Sequence, residues 1–131
     1  MKFLDTSFLI DVIRKSTSVK ELLNEIDEHG PHVTNTIVAH EFLVGAYGAK
    51  NPEKELKVRN DLLSRIIILN FDLNAATKSA EVEAELRKTG ELIGGADILI
   101  VGTMLSRGIK TIVTNNIKHF EKISDIQIQT W

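Results

Sequence analysis

Apolar positions follow two periods along the chain: short runs of consecutive aliphatic residues, and longer segments where apolar side chains recur at helical spacing. The first run, Lys2-Phe3-Leu4, ends in Asp5 and passes directly into a helical pattern opened by Thr6 and Ser7 and carried by Phe8, Leu9, Val12 and Ile13. Ser16 to Ser18 read as a break and cap. A second amphipathic helix follows on Val19, Leu22, Leu23 and Ile26, ending near His29-Gly30-Pro31. His32 to Asn35 is short and extended, and Thr34, Asn35 and Thr36 then cap a third helix carrying Ile37, Val38, Glu41, Phe42, Val44 and Gly45.

Ala49 to Pro52 is a loop. Glu53 to Arg65 is charged and helical, with Leu56, Leu62 and Leu63 as its buried side, and Ile66 to Leu69 is a third strand. Asp72 starts a longer helix to about Lys88, with Leu73, Ala76, Ala80, Ala84 and Leu86 as its apolar contacts, and Thr89-Gly90 stops it. Gly94-Gly95 precedes a nearly all-apolar helix from Ala96 to Ser106. Thr111 to Val113 reads as the fourth strand, Asn115 to Ile123 as a short helix and Ile126 to Ile128 as a closing strand.

Strands separated by helices, with no hairpin signal, predict an α/β fold: a central parallel sheet, right-handed crossovers and helices on both faces. A strand that begins the chain and hands over at once to a helix is the expected central strand. Asp5 then stands at its carboxyl end, where open α/β sheets place ligands. With no repeat, low-complexity segment or linker, residues 1–131 form one domain.

Composition narrows the function classes. Cysteine is absent, which excludes disulfides and thiolate metal sites and removes any argument for secretion. No signal peptide is expected, because Asp5 and Asp11 interrupt the first apolar segment. The longest apolar stretch, Leu92 to Leu105, contains Asp97 and falls short of the roughly 20 residues a membrane span needs. The expectation is a cytoplasmic protein with no membrane partner. A net charge of −2 argues against a protein that coats a duplex. It is compatible with a metallonuclease, whose clustered carboxylates lower the net charge while Lys and Arg nearby still meet phosphates.

Three acids lie where acids are expensive. Asp5 ends a strand; Glu41 falls between Ile37, Val38, Val44 and Gly45, the middle of its helix's apolar stripe; Asp97 is flanked by Ile93, Ile100, Val101 and Met104 on a helix with no fully polar side. Each has an ordinary reading. Asp5 is a good helix N-cap, Glu41 could snorkel or pair with Arg14 or Lys15, and Asp97 lies in a first turn that welcomes negative charge. Together they say more, since two carboxylates about 4 Å apart repel by roughly 4 kcal/mol at an effective dielectric of 20. Protons or a cation must compensate that. With only hard oxygen ligands and no Cys or His at ligand spacing, Mg²⁺ or Mn²⁺ is favoured over Zn²⁺. Thr114-Asn115-Asn116, after the fourth strand, makes ordinary caps for the next helix and is also placed to supply a hydroxyl and an amide to the acids.

Four segments then stand out together: FLDTSFLID from Phe3, TIVAHEFLVGA from Thr36, GELIGGADILIVGTM from Gly90 and VTNNIKHFEKI from Val113. In order and spacing they resemble the PIN-domain ribonucleases, specifically the VapC-type toxins of prokaryotic toxin–antitoxin pairs, and the resemblance covers essentially the whole chain. It implies a PIN-like three-layer sandwich and metal-assisted hydrolysis of RNA phosphodiester bonds. By the same resemblance Asp5, Glu41 and Asp97 are the acidic metal-binding positions, and Thr6 and Thr114 are supporting hydroxyls. Asn116 falls where many relatives carry a fourth acid, a departure that bears on a second metal ion. The resemblance also implies a homodimer and an antitoxin partner.

Candidate RNA contacts are Arg14, Lys15, Lys118, His119 and Lys122, any of which could equally belong to an ordinary solvated face. Phe8, Leu9, Phe42, Leu43 and Tyr47 are candidates for an apolar partner groove. Two rivals remain. A phosphoacceptor receiver-like domain would need an acidic pair after the first strand and a suitably placed Lys, which this chain lacks. A PIN-like RNA- or protein-binding module without catalysis is disfavoured by the intact acidic triad.

Overall fold

Strand β1 (Lys2–Leu4) occupies the centre of a five-stranded parallel sheet in a computed structural model that describes residues 1–131. On one side β2 (His32–Asn35) pairs in the register Lys2 with His32 and Phe3 with Val33. On the other, β4 (Thr111–Val113) sets Ile112 beside Phe3 and Val113 beside Leu4. With β3 (Ile67–Leu69) and β5 (Gln127–Gln129) outside them, the order is β3-β2-β1-β4-β5. Phe3, Leu4, Val33, Ile112 and Val113 are buried. A parallel strand covered on both faces needs no polar–apolar alternation, which gives the consecutive apolar pairs Phe3-Leu4 and Ile112-Val113, whereas β2 buries the polar Thr34 and Asn35 with hydrogen-bond partners.

The crossovers are helical: α1 (Thr6–Arg14), α2 (Thr17–Glu28), α3 (Thr36–Val44), α4 (Pro52–Leu63), α5 (Leu73–Lys88), α6 (Gly95–Ser106) and α7 (Ile117–Phe120), with a 3₁₀ turn at Gly45–Gly48 extending α3. The chain steps from β1 to β2 to β3 in one direction, then returns to β4 on the far side of β1. Right-handed crossovers taken in opposite directions put helices on opposite faces, giving three layers. Strand order therefore reverses between β1 and β4, and a crevice opens at the carboxyl ends of those two strands. Asp5 follows one and Thr114 the other, and the Asp5 amide donates to the Val113 carbonyl at 3.1 Å.

Phe3, Phe8, Phe42 and Phe120 are fully buried, together with Leu9, Ile100 and Met104. Each such side chain contributes about 1.5–3 kcal/mol relative to exposure. A buried polar chain crosses this core. Asn35 accepts from the Val38 amide at 2.9 Å, capping α3, and its amide donates to the Thr103 hydroxyl of α6 at 2.9 Å. One side chain thus fixes the start of α3 against α6, and with it the relative placement of Glu41 and Asp97.

Several sequence expectations are corrected. The buried face of α5 is Ala75, Ser79 and Leu86; Ala80 and Ala84 are exposed, and Leu73 is 81% exposed. The reason is Gly102 of α6, where an added Cβ would lie 2.5 Å from the Ser79 Cβ and 2.7 Å from the Ala75 carbonyl oxygen. Small residues at helical spacing, not large ones, set that approach. In α4, Arg59 is buried beside Leu63, while Leu56 and Leu62 are only half-buried. The guanidinium lies 4.8 Å from the Phe42 ring centroid and donates to the Phe42 carbonyl and the Glu55 carboxylate. The predicted helix from Asn115 to Ile123 shrinks to α7, because Thr114 to Asn116 are drawn into the crevice and the chain must turn to enter β5. That last strand pairs from Gln127 to Gln129, one residue later than expected.

Candidate active site

Asp5 is 3% exposed and holds the N-cap position of α1, yet its carboxylate makes no capping bond. It accepts instead from the Thr114 hydroxyl at 2.7 Å, with the Asn116 amide nitrogen at 3.5 Å from the same oxygen. The ordinary cap reading of Asp5 is therefore excluded. Thr114 itself is fully buried and also accepts from the Asn116 amide N–H at 3.0 Å. Ser7 completes the arrangement: its hydroxyl lies 3.3 Å from that of Thr114 and accepts from the Asn115 amide. In sequence Ser7 reads only as a helix opener. Its position beside Thr6 was the available signal.

Glu41 accepts from the Thr6 hydroxyl at 3.1 Å and pairs with neither Arg14 nor Lys15. Its place in the middle of a buried stripe is not observed. The buried residues of α3 are Val38 and Phe42, Val44 is 53% exposed, and Glu41 is itself exposed. Its carboxyl end is nonetheless lodged at the crevice. Desolvation raises its pKa above the ordinary value; the Thr6 hydroxyl opposes this, while the negative charges of Asp5 and then Asp97 add to it.

Asp97, in the first turn of α6, has 18% of its side-chain surface exposed. The partner that a charge on so apolar a helix requires is His119, whose Nδ1 stands 3.0 Å from the Asp97 Oδ2. Burial raises the Asp97 pKa; the His119 charge and hydrogen bond pull it down, and Asp5 pushes it up. Each acid thus feels at least one of the others. The structure brings Asp5, Glu41, Asp97, Thr6, Thr114, Asn116 and His119 to one end of the sheet.

The three carboxylates do not form a preformed cage, since no three Asp, Glu, His or Cys side chains stand at metal-ligand spacing. Each is turned to its own donor: Asp5 to Thr114, Glu41 to Thr6 and Asp97 to His119. As a donor set they suit a hard divalent cation, being oxygen ligands with unneutralised charge and no thiolate nearby.

Of the basic candidates, Lys118 lies on α7 beside the site, and Arg14 and Lys15 stand at the opposite end of α1, roughly 12 Å along the helix from Thr6. Lys122 lines a separate cavity of about 340 Å³ between α5 and the segment leading to β5. None of the three acids lines that cavity. Of the supposed groove residues, Phe8, Leu9 and Phe42 are fully buried, Phe8 and Leu9 lining a mostly apolar cavity of about 260 Å³, while Leu43 is half-buried and Tyr47 is 69% exposed.

The chain as a whole is similar to known proteins. Residues 2–126 match the PIN domain. A tRNA(fMet)-specific endonuclease VapC from Shigella flexneri is 35% identical over 133 residues, covering 100% of this chain and 98% of the relative. Ribonuclease VapC2 from Haemophilus influenzae is 33% identical over 129 residues, 98% of this chain and 96% of the relative. Among solved structures, VapBC2 from Rickettsia felis bound to a promoter DNA fragment superposes with a TM-score of 0.89 at 27% identity, covering 99% of this chain and 98% of that one. DNA-bound VapBC from Salmonella typhimurium does so with a TM-score of 0.88 at 33% identity, covering 99% and 97%. Sheet order, crevice and full-length likeness lead to one statement: this chain belongs to the PIN-domain family, among its VapC proteins.

Proposed function

We propose that this chain is an endoribonuclease whose cleavage depends on a divalent cation, Mg²⁺ or Mn²⁺, and that it is the toxin of a VapBC-type toxin–antitoxin pair. The observation that carries the proposal is the gathering of Asp5, Glu41 and Asp97 at the β1–β4 crevice, where burial and then the Asp5 charge raise the pKa values of Glu41 and Asp97. Like charges gathered at a topological switch point are what a cation site requires.

Asp5, Glu41 and Asp97 would hold the ion. A bound Mg²⁺ or Mn²⁺ supplies Lewis-acid activation of water and offsets charge on the scissile phosphate. Thr114 keeps the Asp5 carboxylate aimed into the crevice, and Thr6 does the same for Glu41. Asn116 stands beside Asp5 with an amide that can orient water or phosphate. Lys118, exposed on the adjoining turn, is placed to meet an RNA phosphate, with Arg14 and Lys15 as more distant contacts.

A structured RNA is the expected substrate, because the chain has few aromatics on which single strands could stack. The Shigella relative makes tRNA the first substrate to try. Partners are proposed from the same likenesses: an antitoxin, as in the neighbouring VapBC complexes, and a second copy of this chain. Exposed Tyr47, Val44 and Leu92 offer apolar area for such contacts. No helix is long and apolar enough to cross a membrane, and we place the activity in the cytoplasm with its RNA. Incubating the chain with a tRNA pool, with Mn²⁺ or with EDTA, tests the proposal. Cleavage with Mn²⁺ and none with EDTA is expected; retention of bound RNA without cleavage would favour a non-catalytic module.

A further inference from the structure

We propose that His119 is a positioning residue for Asp97, holding its carboxylate in the orientation that serves the cation site with Asp5 and Glu41. The inference rests on the metal-site reading above.

Asp97 needs an external hold. It lies in the first turn after Gly94 and Gly95, and a Cβ on Gly94 would come within 3.3 Å of its Oδ2, so the carboxylate folds back over glycine and meets no side chain there. His119 is the side chain paired with it, at 3.0 Å. The other two carboxylates are likewise held by donors from neighbouring elements: Thr114 and, at 3.5 Å, the Asn116 amide for Asp5, and Thr6 for Glu41. His119 takes for Asp97 the part the hydroxyls take for the others.

The imidazole is itself well placed. Phe120 next to it is fully buried, the His119 amide donates to the Asn116 carbonyl at 3.1 Å, and the Asn116 amide is tied to Thr114. One short segment, Thr114 to Phe120, thus carries a donor to Asp5 and a donor to Asp97 and couples their placement. The His119 ring donates through Nδ1 when charged, and equally when neutral with its proton on that nitrogen. With 54% of its side chain exposed, His119 packs too little for its loss to unfold the chain.

Partners that orient a metal-ligating side chain typically change metal affinity by about 10–100-fold when removed. The test is a Mn²⁺ titration of the full chain, read by electron paramagnetic resonance of the free ion, with melting temperatures taken alongside. Wild type is expected to bind and Asp5→Asn to lose most of that binding, which checks the metal site itself. His119→Phe is expected to bind about 10–100-fold more weakly at an unchanged melting temperature. His119→Asn, whose amide N–H falls near the position of Nδ1 but does not ligate metal, is expected to recover most of the affinity. Wild-type affinity in His119→Phe would overturn the inference while leaving the metal site standing. So would an Asn variant as weak as the Phe variant. Failure of wild type to bind Mn²⁺ would overturn both.

Discussion

The Thr114 hydroxyl donates to the Asp5 carboxylate at 2.7 Å across 109 residues of sequence, joining the carboxyl ends of β1 and β4 where strand order reverses. Both side chains are buried, so neither has water as a ready substitute. Thr114→Val keeps the shape and removes the hydroxyl, leaving a buried carboxylate and the Asn116 amide short of a partner. Such a loss costs about 1–3 kcal/mol. We expect a lowered urea midpoint with unchanged slope, and RNA cleavage reduced by about 10–100-fold, as for other residues that orient a metal ligand. Wild-type stability and rate in Thr114→Val would show that the bond carries no weight.

The raised pKa of Glu41 gives a pH signature whose sign is fixed. A folded-state pKa above the unfolded value adds stability that is complete below the unfolded value and is lost as pH rises through the folded one. Glu41→Gln carries no charge at any pH. In EDTA, it is therefore expected to melt above wild type at pH 7, with the difference closing as pH falls through the raised folded value and gone below about 4.3, the usual glutamate value. Thermal melts at several pH values check this, and a difference independent of pH would remove charge repulsion as its cause.

Gly102 offers a test of the fold apart from the chemistry. An alanine there places a Cβ against the Ser79 Cβ and the Ala75 carbonyl. Since backbone of α5 is among the atoms met, the helices must part. Gly102→Ala is expected to destabilise by about 1–3 kcal/mol, measured by urea denaturation. No loss of stability would mean that α5 and α6 are not in such close contact.

Much of this fold is legible in the sequence because its strands are buried on both faces and its helices begin with polar caps. Lys2-Phe3-Leu4 reads as a central strand, and Asn35 and Asp72 read as caps, since the residues that make those features are adjacent in sequence. Asp5 is legible as a candidate site residue because a strand's end and an acid coincide. Glu41 is legible for the wrong reason. Its helical neighbours are apolar, but Val44 faces solvent, and apolar residues are common on surfaces. Contacts made across long separations escaped: the Asn35–Thr103 bond, the Arg59 side chain against Phe42, and His119 on Asp97. Arg59 reads as a solvated charge in a charged helix, with Glu55 one turn earlier as its only hint. His119 reads as a surface base because nothing near it in sequence shows that it meets an acid of another helix.

The shared cation is tested most directly by anomalous diffraction from crystals of the full chain grown with Mn²⁺. The expected result is a manganese peak in the crevice between Asp5 and Asp97, present in wild type and absent from Asp5→Asn crystals grown identically. A crevice without manganese in wild type, or a peak bound only by residues away from Asp5, Glu41 and Asp97, would contradict the assignment of these carboxylates as a metal site.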